Sequence, residues 1–219
     1  TTEIYTLSLH DALPILMGDY ADNYIQSSHA GGVYGQISNP DKQKEMVEHI
    51  FVEYYKDNVL TVIKGNHDAW TEKSTGEDYL KYLARKIESP YLWYGGTVNI
   101  TIGNITYNIH ARHNYRYNSS INTTNSQRNL FNQTRADIIL LGHLHFNEIH
   151  QKTGSGKDTV WGRSGSYKVT DDYGEYLGFG EADTRMPLFI LFPGTKKVLP
   201  FRDMYDGLEY LRFLRKQSA

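Results

Sequence analysis

Twice along this chain a short apolar run stops at a glycine and is followed at once by amide, imidazole or carboxylate side chains. Residues 60–63 lead into Gly65-Asn66-His67-Asp68, and residues 138–141 lead into Gly142-His143-Leu144-His145. Such short runs, bounded by turn signals, fit buried strands, and chains that alternate them with helical stretches fold as α/β layers. Two more junctions follow the same plan: Gly18-Asp19 after Leu16-Met17, and His110 at the close of the run through Ile105, Tyr107 and Ile109. α/β sheets gather ligands at the carboxyl ends of their strands, and glycines there allow tight turns and close backbone approach. The pattern predicts one crevice onto which Asp19, Asn66, His110, His143 and His145 converge.

These side chains are oxygen and nitrogen donors, a set suited to hard and borderline divalent ions. The chain has no cysteine, which excludes thiolate ligands and disulfides. A carboxylate such as Asp19 can bridge two ions through its two oxygens, and two histidines two residues apart on a loop can serve neighbouring ions. Two ions about 3.5–4 Å apart would clamp a phosphate and hold a hydroxide for in-line attack. A formal net charge of −2 offers no general footprint for a polyanion. Nucleic acid or nucleotide stays open as substrate, because bound cations supply local positive charge.

A hydrophobic fraction of 39% with 13% aromatics is enough for a core. No linker or internal repeat interrupts residues 16–219, so one domain is expected. Asn39-Pro40-Asp41 supplies an N-cap, a first-turn proline and an early acid, predicting a helix over 40–56. Further helices are predicted over 77–87, 125–135 and 204–216, with a hairpin turning at Gly103-Asn104 and a strand over 188–192. No apolar run approaches the roughly 18 residues of a membrane span. With no signal-peptide pattern either, no membrane partner and a cytoplasmic location are expected. Residues 1–15, TTEIYTLSLHDALPI, are similar to one reading-frame translation of a sequencing-adaptor oligonucleotide. They are expected to be non-native, with native sequence from about Leu16.

Gly18-Asp19, Gly65-Asn66-His67-Asp68 and Gly142-His143-Leu144-His145 resemble the second, third and fifth motifs of the calcineurin-like metallophosphoesterases, in the family's order and with His110 in the fourth place. The resemblance covers residues 16–199, and the compactness of the chain fits a phage-type member. It implies a four-layer α/β/β/α sandwich, two mixed sheets flanked by helices, with the N-terminal strand missing here. It implies two divalent ions (Mn, Fe or Zn) and hydrolysis of a phosphate ester. A phosphodiesterase or nuclease-type activity leads; a phosphomonoesterase and a catalytically silent scaffold are the rivals. Asp19 would bridge both ions, Asn66, His143 and His110 would bind the second, and His145 the first. His67 would stand beside the scissile phosphate as acid or charge stabiliser, oriented by Asp68. The family opens with Asp-x-His, and this chain has only His10-Asp11 there, in reverse order and read as accidental. The chain as given is therefore expected to behave as a one-metal or inactive piece of an active enzyme.

Other polar residues divide between function and structure. His113 competes with His110 for the fourth motif, and His110 is preferred because it continues the strand end more directly. Arg112 and His113 are candidates for facing substrate, against a reading as solvated loop residues. Arg163 is a candidate phosphate ligand, against a surface salt bridge. Asp22 and Asn23 are expected to fix the Gly-Asp loop by capping. His29 is expected to be an exposed loop residue, and His49 and His150 to be structural.

Overall fold

The computed structural model describes residues 12–27, 32–119, 121–154, 156–170, 172–176, 178 and 180–218. His10, Asp11 and His29 lie outside the described residues, as does nearly all of the adaptor-like segment. The chain forms two compact units, one holding the described residues within 12–95 and 170–181, the other Gly96–Val169 and Ala182–Ala219.

In the first unit, β1 (Ile15–Leu16) pairs in parallel with β2 (Thr61–Val62). A parallel pair needs a crossover, and α1 (Pro40–Tyr54) lies within it. Asn39 starts that helix, its side chain accepting from the amide of Lys42 at 2.9 Å, with Pro40 in the first turn. α2 (Asn66–Thr75) and α3 (Tyr79–Lys86) follow. Leu80, Leu83 and Ile87 pack with Leu16, Val47 and Val62, and each fully buried leucine contributes about 2 kcal/mol. No helix is expected at α2 from the sequence, because its mostly polar residues carry no apolar stripe. It exists for local reasons. Gly65 caps it in extended conformation, Asp68 in its first turn is acidic, and Gly76 at φ 78° ends it.

Lys64, one residue ahead of the Gly-Asn-His-Asp motif, is fully buried. Its ammonium pairs with Glu72 on α2 and with Asp78 at 3.0 Å, and lies 4.7 Å from the ring centre of Trp93. Two carboxylates and an aromatic face offset the loss of water around this charge. The pairing also ties the end of β2 to the body of α2.

The second unit is built on a mixed sheet. Its strands are β3 (Gly95–Ile102), β4 (Ile105–Arg112), β5 (Ile138–Leu141), β6 (Glu148–Gly154) and β7 (Lys157–Arg163), in the order β3-β4-β5-β7-β6. The β3–β4 turn falls at Gly103, φ 59°, as the sequence predicts. β4, β5 and β7 run parallel, and β6 is antiparallel to β7. Arg112 stands opposite Leu141, and Leu141 opposite Arg163, so three carboxyl ends finish level with one another. α4 (Asn125–Thr134) covers part of this sheet, with Leu130 and Phe131 against Ile139, Leu141 and Trp161. α5 (Asp172–Tyr176) falls with the first unit, and β8 (Leu188–Leu191), β9 (Val198–Phe201) and α6 (Met204–Ser218) complete the second. β8 and β9 form an antiparallel pair of their own.

The fold class is α/β. Where the resemblance implies two mixed sheets, the described strands form one five-stranded mixed sheet and two separate pairs. Among the described residues no helix is long and apolar enough to cross a membrane.

Candidate functional site

The parallel pairing of β1 with β2 brings the Gly18-Asp19 and Gly65-Asn66 loops out side by side. Gly18 at φ 97° and Asp19 at φ 57° take the chain through a left-handed bend that points the Asp19 carboxylate at the start of α2. Asp19 Oδ1 accepts from the amide of His67 at 2.9 Å, which places a negative charge on the positive end of the helix. Asp68 Oδ2 accepts from the amides of Gly65 and Asp19, both at 2.8 Å, and locks the two loops together. A Cβ at Gly65 would fall on the Asp19 carboxylate, so only glycine fits there.

His67 lies on the first turn of α2. Its Nδ1–H donates to the main-chain carbonyl of Asp22 at 2.8 Å, which turns Nε2 into the proton-accepting face of the neutral ring. The ring stacks on Trp70, with centres 4.1 Å apart, and Tyr24 lies at 5.5 Å. The orienting contact expected from Asp68 is thus supplied by Asp22, because the Asp68 carboxylate is turned to the loop amides. Asn23, buried and at φ 48°, holds the same turn: Nδ2 donates to the carbonyl of His67 at 2.6 Å, and Oδ1 accepts from Thr71. Trp70 and Tyr24 were missed in the sequence. Trp70 sits three residues after His67, a signal legible only once α2 is known to be a helix.

In the second unit the histidines sort differently from expectation. His110 lies within β4, in register with Ile139, and its Nδ1 meets the hydroxyl of Thr97 on β3 at 2.8 Å. Burial, reinforced by the charge of Arg112, lowers its pKa to about 4, so the ring stays neutral. His113 stands just past the end of β4, and its Nε2 lies 3.2 Å from Nδ1 of His143, with ring centres 5.1 Å apart and planes at 70°. The level carboxyl ends of β4 and β5 make the meeting. The amide of Gly142 donates to the carbonyl of His113 at 3.0 Å, carrying His143 alongside. Of the two candidates for the fourth motif, His113 and not His110 stands beside His143, because the chain runs as strand through Arg112 before the loop begins.

The order along the chain is Gly-Asp, Gly-Asn-His-Asp, a strand-end histidine, then Gly-His-x-His. That is the motif order of the calcineurin-like metallophosphoesterases.

No family model and no curated protein matches the chain. Solved structures similar to it include a Vps29 from Entamoeba histolytica complexed with Zn+2, at 15% identity and TM-score 0.38, covering 70% of this chain and 88% of that one. A single mutant of that Vps29 reaches 17% identity and TM-score 0.41 over 85% and 97% of the two chains. A conserved uncharacterized protein of Streptococcus pneumoniae TIGR4, described as a predicted phosphoesterase, matches at 16% identity and TM-score 0.39 over 72% and 91%.

The imidazoles of His113 and His143 fit a divalent ion. Two imidazole nitrogens bound at about 2.0–2.1 Å to one tetrahedral ion stand about 3.3 Å apart, and those of His113 and His143 already stand at 3.2 Å. His143 at φ 72° and His145 at φ 54° are both left-handed. Backbone of that kind in non-glycine residues costs energy and clusters where function holds it. His145 is exposed, and its carbonyl accepts from the amide of Asp183 at 3.1 Å.

Arg163 is not at the surface. It is fully buried at the end of β7, donating from Nη1 to the carbonyl of Gly142 at 3.1 Å and lying 3.6 Å from Glu148. It therefore braces the Gly-His-x-His loop from beneath. Burial alone would raise the pKa of Glu148, but bonds from Thr123 and His150, with the charge of Arg163, leave it below the ordinary value. His150 Nε2 meets the Glu148 carboxylate at 3.1 Å. Arg112 donates from Nε to the carbonyl of Asn114 at 3.4 Å and lies over Tyr115.

Proposed function

We propose that this chain, with the family's Asp-x-His motif ahead of Leu16, hydrolyses a phosphodiester with the help of two divalent ions, in the manner its motifs imply. By the roles the motifs imply, Asp19 would serve both ions, Asn66, His113 and His143 would hold one, and His145 would contribute to the other. When bound, the ions polarise the phosphoryl oxygens and acidify the attacking water. The chain's own part is to present His67. Asp22 fixes the tautomer through Nδ1, and Trp70 fixes the ring plane, so Nε2 carries or receives a proton at one defined position. In the reaction, protonated Nε2 gives that proton to the departing alkoxide, and its positive charge opposes the charge that develops there.

The observation that supports an enzyme over a silent scaffold is this anchoring of His67. Ligands alone would bind a metal without it. The test is turnover of bis(4-nitrophenyl) phosphate and of 4-nitrophenyl phosphate with added Mn2+ against EDTA, with the family's Asp-x-His motif supplied ahead of Leu16. Metal-dependent release from the diester is expected. Release from the monoester alone would make it a phosphomonoesterase, and metal uptake with release from neither would make it a scaffold.

A further inference from the structure

Between Glu88 and Asp137 the chain carries four arginines and no carboxylate, although its net charge is −2. Two of these arginines, Arg112 and Arg116, line an open pocket of about 550 Å3 together with Asn114, Tyr115, Tyr117 and Asn118. The pocket begins at the residue before His113. The guanidinium of Arg116 lies 4.8 Å from the ring centre of Tyr117 and 5.8 Å from that of Tyr115. That of Arg112 lies 5.6 Å from the centre of Tyr115. Arg116 bonds the hydroxyl of Tyr115, and among the described residues no carboxylate pairs with it.

The surface is built rather than loose. Gln133 donates to the hydroxyl of Tyr115 at 2.9 Å, and Asn125 donates to the carbonyl of Tyr117 at 3.2 Å. The hydroxyl of Ser126 donates to the carbonyl of Arg116 at 3.0 Å and reaches the side chain of Asn118 at 2.9 Å. Tyr117 is held at φ 71°, a left-handed conformation that a tyrosine adopts at a cost, and stays 48% exposed. Aromatic faces fixed in advance beside guanidiniums that meet no carboxylate among the described residues suit one chemistry in particular. Bases stack on tyrosine and guanidinium planes, while phosphates take the fork of donors that arginine presents.

We propose that Arg112, Tyr115, Arg116 and Tyr117 form a docking surface for single-stranded nucleic acid, resting on the reading of this chain as a phosphodiesterase and naming its substrate class. Tyr117 stacks a base, and Arg116 and Arg112 grip the phosphates on either side.

The experiment is fluorescence anisotropy of a labelled oligothymidylate of about twelve nucleotides, within the usual site size. It is run with the full chain in EDTA, so that binding is read without turnover. Saturable binding that weakens with salt is expected. Tyr117→Ala should raise Kd about tenfold while leaving the salt dependence unchanged. Arg116→Gln should raise Kd comparably and flatten the slope of log K against log salt by about 0.7. Both side chains are exposed, so neither change threatens the fold. Absence of binding by the unaltered chain would overturn the proposal, as would affinity unchanged by either substitution. Polyglutamate competing as well as oligonucleotide would also overturn it, since a general polyanion site needs no stacked base. Binding in EDTA by a chain that turns over neither nitrophenyl ester would remove the phosphodiesterase reading and leave this surface standing.

Discussion

Nε2 of His113 faces Nδ1 of His143 across 3.2 Å because β4 and β5 run parallel and end level. Two facing imidazole nitrogens at that distance share either one proton or one cation, and the neighbouring histidine of β4, His110, is turned instead to Thr97. Two histidines only three residues apart thus meet different partners.

His113→Gln should therefore weaken Mn2+ or Zn2+ binding by about a hundredfold or more, beyond what loss of a supporting contact does. His110→Gln should leave metal affinity within a few fold. Calorimetric titration of both variants decides this. Loss of binding in the His110 variant alone would return the fourth motif to His110.

The buried neutral state of His110 has its own signature. Its folded pKa is lowered from 6.5 to about 4, so the unfolded chain binds the extra proton first as pH falls. The stability it contributes is complete above pH 6.5 and is lost as pH drops toward 4, by about 3 kcal/mol for a shift of this size. Urea unfolding of the unaltered chain and of His110→Gln should show their stability difference shrinking by that amount across this window. A difference that stays constant would mean that His110 is not buried in its neutral form.

Gly65→Ala tests the loop lock. The added Cβ meets the carboxylate of Asp19 and, at 2.5 Å, its amide nitrogen; the amide cannot move without releasing Asp68, nor the carboxylate without releasing the amide of His67. Destabilisation of about 1–3 kcal/mol is expected from the overpacking, together with weaker metal binding. Wild-type stability in this variant would show that the two loops stand further apart than described.

With the Asp-x-His motif restored ahead of Leu16, His67→Gln should leave metal content and unfolding nearly unchanged while lowering diester turnover about 10²–10⁴-fold. The loss should be smaller for nitrophenolate, which leaves without a proton, than for an alkoxide. A variant that lost its metal instead would make His67 a ligand.

What the sequence determined by itself was the set of junctions. Apolar runs ending in Gly-Asn-His-Asp and Gly-His-x-His announce strands with donors at their carboxyl ends, since strand burial and glycine turns are local properties. The α1 start at Asn39-Pro40 and the hairpin at Gly103 were legible for the same reason. Tertiary structure decided which donor faces which. Whether His110 or His113 reaches His143 depends on where β4 ends relative to β5, a register that no local pattern encodes. Arg163 has the charge of a phosphate ligand, yet β7 buries it under Gly142, where it holds a carbonyl. Asp68 has the place of an orienting acid, yet the parallel pairing of β1 and β2 puts the amides of Asp19 and Gly65 within its reach and leaves His67 to Asp22. In each case the side chain's chemistry is written in the sequence, and its partner is set by backbone pairing between distant segments.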